Sequence, residues 1–535
     1  MVLTTFTNGR FFVDSPQGGI FLSSLSVRDG KIVDGPLQGA HEVDLGGRLA
    51  LPAFVDAHCH LLPLGESLDK VDLTGCTSLA HILQRLEAHN QTHPDAVRIL
   101  AKNWIQGMTE PREIDRASLD TLDKPVYIES YDLHSSLLNS AALAELAIDA
   151  DGRTPDPPGG KIVRDADGRA TGWMQELAHL NVVAGFLQKQ TTTEEKRRAI
   201  ENAFAALLGA GYTAVGDLLM EEDAFAILTS LEQEQGRLPV RVRAYWHVEP
   251  KPDLAESLKA IDRAKELQER RKGSEYLQVV GIKLVSDGVI DSCTASLLAP
   301  YRDGSNAEPI WPLDRLTAAV QRADELGLQC AIHAIGDLSV HNAVEALASL
   351  GRERIVARRH RIEHLELSTA ADVQKLGSLG ITTSVQPVHA DPALLDNWYN
   401  QLGGPHADRC CNRAFAYRDF LEAGAPIAIG TDAPTAPFPP LPNLHIATTR
   451  RSARDPQLDT RTTPQFALPL VAAVAAATQG AARACHVEHL QGSFAAGCSA
   501  DFNVVDIDLF SPENEGKQML LKAKVAQTFV QGKPV

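Results

Sequence analysis

Residues 316–337 read LTAAVQRADELGLQCAIHAIGD, and this stretch decides the fold. A helical pattern runs to Gly327, and a short apolar strand follows that itself ends in polar residues. The same unit recurs along the chain. RRAIENAFAALLGAG (197–211) leads into YTAVGD, ADVQKLGSLG (371–380) into ITTSVQP, and YRDFLEAG (417–424) into APIAIGTDAP. Strands apolar on both faces that alternate with helices are what a parallel sheet covered by helices requires.

Working outward from residue 51, eight segments have this character: LPAFVDAHCH, GYTAVGD, LPVRVRAYWHV, LQVVGIKLVSD, LQCAIHAIGD, RHRIEHLEL, ITTSVQPVH and PIAIGTDAP. Eight is the number that closes a (β/α)8 TIM-type barrel, so an α/β barrel over residues 51–485 is expected. Roughly 140 residues separate the first strand from the second, too many for one βα loop. An insertion at about residues 62–195 is therefore expected, with VRILAKNW and KPVYIESYD as strands and TPDPPGGK as a surface turn. Before residue 51 the chain reads as short alternating strands, FTNGRFFV, SLSVRDGKIV and EVDLGG, broken by turn signals such as Asp29-Gly30. QGSFAAGCSADFNVVDID and KAKVAQTFVQGKPV near the other end resemble them. Residues 1–50 and 486–535 are expected to form one small composite β domain beside the barrel.

With 51 Lys and Arg against 68 Asp and Glu, the formal charge is −17. Such a surface repels phosphate backbones and anionic lipid, which argues against nucleic-acid or membrane-surface partners. The eight cysteines show no C-x-x-C pair, and Cys410 and Cys411 are adjacent, so reduced thiols in a cytoplasmic setting are expected. No secretory start and no stretch of about 20 uncharged apolar residues is present. A homodimer is only the default for a soluble enzyme.

Barrel enzymes carry their chemistry at the carboxyl ends of the strands. Those ends hold His58, His60, Lys283, His333, His364 and Asp432. His58 and His60 are two apart, so an extended chain points both to one side and Cys59 away. Imidazoles with one carboxylate form a ligand set that Zn²⁺ and similar divalent ions favour. Each residue also has an ordinary explanation: most histidines serve structure or surface, and Asp432 could merely cap a turn. Lys283 lies inside an apolar strand, where an unpaired ammonium is costly and tends to lose its proton. A neutral amine beside a divalent ion can take up CO₂ to become an N6-carboxylated lysine that bridges two metals. The alternative is an ordinary salt bridge to Asp217 or Asp287.

Taken together, LPAFVDAHCH, the strand-four lysine, HAIGD, RIEH and GTDAP resemble the amidohydrolase superfamily over essentially the whole chain, including the split β domain. VRDGKIV is similar to its opening strand and GSFAAGCSADFNVVDID to its closing stretch. KLVSDGVIDSCTASLLAPY, SYDLHSSLLNS, TGWMQE and SVQPVHADPALLD are similar to the subgroup that contains N-substituted formamide deformylase. The resemblance implies hydrolysis of a non-peptide C–N bond in an amide, formamide or cyclic imide, a small-molecule substrate. It assigns His58 and His60 to one metal, His333 and His364 to a second, Lys283 to the bridge, and Asp432 to ligation and catalysis. Where the subgroup usually has an acidic Asp-Pro after GTDAP, this chain reads FPPLP.

The expected chemistry is metal-assisted hydrolysis with Asp432 as base and then acid, using one or two divalent ions, zinc by preference. Trp104, His134, Glu176, Asp287, Thr294 and His389 lie in the subgroup-like motifs and are candidates for substrate contact. The insertion is a candidate lid. Two other readings are open. A nucleobase or triazine-type deaminase with a one-metal site would not need Lys283, and a catalytically inactive barrel serving as a binding or structural protein would have lost ligands.

Overall fold

The structure is a computed structural model that describes residues 2–15, 18–105, 114–130, 134–148, 153–157, 159–514 and 519–535. Two compact units divide the chain: Met1–Leu61 with Phe204–Val535, and Leu62–Ala203.

In the larger unit, eight strands form one parallel sheet in chain order. They are β1 (Phe54–Cys59), β2 (Tyr212–Met220), β3 (Arg241–His247), β4 (Leu277–Val285), β5 (Gln329–Ala334), β6 (Arg361–His364), β7 (Thr382–Val385) and β8 (Ile427–Ile429). These are the eight segments expected from the sequence. The sheet closes on itself just past β8, where Asp432 N donates to His58 O at 2.7 Å and His60 N to Ala433 O at 2.9 Å. Closure depends on a residue without a side chain: a Cβ on Gly430 would stand 2.5 Å from His58 N. Helices precede the strands as the repeated unit required, Leu313–Glu325 before β5 and Ala370–Leu379 before β7. Gly327 (φ 78°) and Gly380 (φ 71°) end those helical runs in the left-handed region, which L side chains resist.

The two ends of the chain share a sheet. Phe502–Val505 pairs antiparallel with Leu49–Pro52, and Val525–Val530 lies on its other edge. A second sheet contains the hairpin Leu25–Arg28 and Lys31–Val33, turned by Asp29 (φ 48°) and Gly30 (φ 81°). Both turn residues at positive φ suit the right-handed twist of a tight hairpin. Phe6, Phe11, Phe494, Phe502 and Phe529 fill the space between, with Phe502 stacked on Phe529 at 4.5 Å. Large buried rings of this kind dominate the energetics of a small core.

The smaller unit is built on a six-stranded mixed sheet. VRILAKNW supplies Ile99–Trp104 and KPVYIESYD supplies Val126–Ser130, while Tyr131 and Asp132 lie outside the described residues. Of the expected turn TPDPPGGK, Pro158 also lies outside them. Leu86, Ile99, Leu119, Ile128 and Leu137 form its core. Among the described residues, no helix is long and apolar enough to cross a membrane, and all eight cysteines are free.

Candidate metal centre

The site grows out of strand alternation. On β1, His58 and His60 project to one side, and the turn after β8 brings Asp432 between them. His60 Nε2 lies 2.9 Å and His58 Nε2 3.1 Å from the same oxygen, Asp432 Oδ1. From β6, the His364 ring stands 5.0 Å from that of His58, and the His333 ring of β5 stands 4.4 Å from that of His364. The structure therefore brings His58, His60, His333, His364 and Asp432 into one cluster. Lys283 reaches the same interior and is 2% exposed.

Two of the site residues hold unfavourable backbone angles. His364 has φ 72° and Asp432 φ 60°, a region a bulky L residue enters only when its surroundings impose it. Such strain collects where side chains must be aimed.

Hydrogen bonding at two of the rings bears on which nitrogen faces the centre. His58 Nδ1 lies 2.7 Å from Glu363 Oε2. His333 Nε2 lies 3.2 Å from the carbonyl of Gly288, which leaves its Nδ1 as the lone-pair nitrogen. Several polar atoms at the site are buried without a hydrogen-bond partner: His60 Nδ1, His364 Nδ1 and Lys283 Nζ. Neither Asp217 nor Asp287 forms an ion pair with Lys283 among the described residues, so the salt-bridge alternative has no support.

Electrostatics follow from burial and neighbours. Desolvation, reinforced by Lys283, pushes His333 down to about 3, and desolvation reinforced by the neighbouring His333 holds His364 well below its usual range. Both imidazoles are thus neutral, the form that ligates metal. Desolvation also pulls Lys283 down to about 8, towards the free amine. Asp432 behaves oppositely: burial would raise it, but His58 and His60 hold it well below the ordinary carboxylate range. Neutral imidazoles, a carboxylate and an unpartnered buried amine fit a divalent ion, and these groups would hold it.

His389 joins the cluster more closely than its sequence position suggested. Its ring stacks on His364 at 5.7 Å, with Nε2 3.5 Å from Asp432 Oδ2 and Nδ1 3.5 Å from Glu366 Oε1. Ligand atoms of His364, His389 and Asp432 lie within 4.8 Å of one another, as do those of His58, His60 and Asp432. A third group, His341, Glu345 and Asp372, sits on outer helices where Glu345 is already bonded to Lys375.

The remaining substrate candidates are held differently. Asp287 is fully buried and takes three backbone amides, from Ser296, Ile335 and Gly336, at 2.9–3.1 Å. Its oxygens lock the loop after β4 to the loop after β5, a structural duty that sequence alone did not separate from substrate contact. Thr294 Oγ1 accepts from Val289 N at 3.0 Å and tightens the same loop. In the smaller unit, Trp104 is 2% exposed and packs against Trp173 at 5.5 Å, so it belongs to that core. His134 Nδ1 lies 3.0 Å from Glu176 Oε2, an exposed pair.

Sequence reasoning missed Glu363 and Arg361. Both are 0% exposed and paired, with Arg361 Nε donating to Glu363 Oε1 at 2.5 Å. The available signal was two opposite charges two apart in a strand, Arg361–His364, expected to lie in the barrel wall, since buried charges are paired or serve a site. Asp56 was also missed. It accepts Thr431 N at 2.9 Å and Thr431 Oγ1 at 2.6 Å, which fixes the turn that carries Asp432.

Comparison with known proteins agrees with this fold. YtcJ of Bacillus subtilis (strain 168), whose name calls it an amidohydrolase, is 28% identical over 506 residues, covering 92% of this chain and 90% of that protein. N-substituted formamide deformylase of Arthrobacter pascens is 25% identical over 517 residues, covering 92% of this chain and 89% of its own length. The crystal structure of an uncharacterized metal-dependent hydrolase from Pyrococcus horikoshii superposes with a TM-score of 0.77 at 26% identity, covering 96% of this chain and 99% of that one. The profile of the Amidohydrolase family matches residues 41–535. On that match, with its fold and its strand-end cluster in agreement, the chain belongs to the amidohydrolase family.

Proposed function

We propose that the protein is a metal-dependent hydrolase of a non-peptide C–N bond in a small amide, N-substituted formamide, or cyclic amide or imide. The observation that carries this is the convergence of His58 Nε2 and His60 Nε2 on one oxygen of Asp432, at 3.1 and 2.9 Å, beside the buried unpartnered amine of Lys283. The amide substrate class draws on the likeness to the Arthrobacter pascens deformylase.

A bound divalent ion, zinc being well suited to these donors, supplies a water acidified towards about pH 7 and polarises the scissile carbonyl. His58, His60, His333 and His364 are the imidazoles that would hold it. Lys283, as its carbamate, would add oxygen donors to the same site. Asp432 accepts the proton of the attacking water. It returns that proton to the leaving nitrogen as the C–N bond breaks, which a carboxylate kept ionised by His58 and His60 can do. The eight free cysteines suit a cytoplasmic enzyme.

Metal content per chain, with intact mass under gentle ionisation, is the test. Two metals with one added CO₂, followed by turnover of formanilides, simple amides or cyclic imides, is the expected result. One metal without the adduct moves Lys283 to a structural role and turns the search to deaminase substrates, and a chain that binds no metal overturns the proposal.

A further inference from the structure

His58 has two rival partners at Nδ1, and they demand opposite tautomers. Glu363 Oε2 lies 2.7 Å away and the Gln386 amide nitrogen 3.3 Å away. An ionised carboxylate only accepts, so its contact requires a proton on Nδ1. An amide N–H donates, so its contact requires a lone pair there. Only the first arrangement leaves the lone pair on Nε2 that a metal needs, against the Asp432 carboxylate 3.1 Å away, which calls for a proton on Nε2 until a metal takes its place.

The surroundings of Glu363 favour the first. Arg361 grips both of its oxygens, Nε to Oε1 at 2.5 Å and Nη2 to Oε2 at 3.1 Å. Arg361 is itself pinned by Ala57 O at 2.7 Å and Ser384 Oγ at 2.6 Å, so strands β1, β6 and β7 meet on one guanidinium. A carboxylate paired with a permanently charged guanidinium stays an anion. The Gln386 side-chain carbonyl is buried without a partner, and a half-turn of that amide would replace its nitrogen by an oxygen that tolerates Nδ1–H.

We propose that Glu363, kept charged by Arg361, is a positioning residue that fixes His58 as its Nδ1–H tautomer and so presents Nε2 to the metal. The role rests on the metal-centre reading above. It acts through His58, since the Glu363 oxygens are taken up by Arg361 and by His58 Nδ1.

Nitrogen NMR of the metal-free Asp432→Ala protein, in which no carboxylate faces Nε2, labelled at histidine and assigned by comparison with the same protein carrying His58→Asn, reads the tautomer without touching Glu363. An Nδ1–H pattern at His58 is expected, and an Nε2–H pattern overturns the proposal. Zn²⁺ affinity, measured by competition with a chelator, is expected to fall about 10-fold in Glu363→Gln and about 100-fold in Glu363→Leu. Glu363→Gln keeps an acceptor and the side-chain shape, so it answers the question even if stranding Arg361 unfolds Glu363→Leu. Folded variants that bind Zn²⁺ as tightly as wild type overturn the proposal while the metal centre stands. A wild-type chain that binds no Zn²⁺ brings down the metal-centre reading, and this role with it.

Discussion

Two carboxylates at the strand ends show how differently one residue type is used. Asp287 follows β4 and Asp432 follows β8, and they are 0% and 7% exposed. Asp287 meets three backbone amides, with one imidazole, His333 Nε2, standing off at 3.5 Å, and burial still pushes it up to about 7. Asp432 meets imidazoles of His58 and His60 and is held well below the usual range. Burial acts the same way on both, and the partners decide the outcome. Fixed amides turn a buried carboxylate into a loop clamp. Aimed imidazoles, with lone pairs to spare, turn it into part of a reactive centre.

Substitution at the two positions should separate these roles. Asp432→Asn is expected to lose about 10³-fold in turnover while metal content stays near wild type, since the histidines remain. Single-turnover rates and elemental analysis check it. Asp287→Asn is expected to lower unfolding stability by about 1–3 kcal/mol in denaturant, because an amide hydrogen then faces backbone donors. Its turnover should stay within about ten-fold of wild type; a folded Asp287→Asn protein as inactive as Asp432→Asn would erase the distinction.

Lys283 extends the comparison to a base. Its folded value of about 8 lies below its ordinary 10.5, so between these values the unfolded chain carries a proton that the native one has released. Stability of the metal-free protein should therefore rise with pH across that window, by up to about 1.4 kcal/mol per unit, and Lys283→Met should remove the slope. Denaturation curves at several pH values decide it. An identical slope in the variant would mean that Lys283 is not the group responsible.

The smallest effect is expected away from the barrel. His134 and Glu176 are 28% and 53% exposed at the side chain, so solvent screens their contact. Glu176→Gln should change stability by less than about 1 kcal/mol. A KM shift of ten-fold or more in that variant would mark Glu176 as a substrate contact, and an unchanged KM would leave it a surface pair.

The sequence by itself determined the barrel and most of its cluster, because both are written in local periods. Helical runs ending at glycine mark out the strands, and the two-residue spacing of His58 and His60 puts both rings on one side. What tertiary structure decided is orientation. Glu363 lies 305 positions from His58, so no local pattern could show which ring nitrogen it holds. His389 reached the cluster through ring stacking on His364, and Asp287 became a clamp through amides of two other segments. Residue type and period are properties of a short stretch of chain, whereas a lone pair's direction and a carboxylate's partners are set by groups the fold brings from far along it.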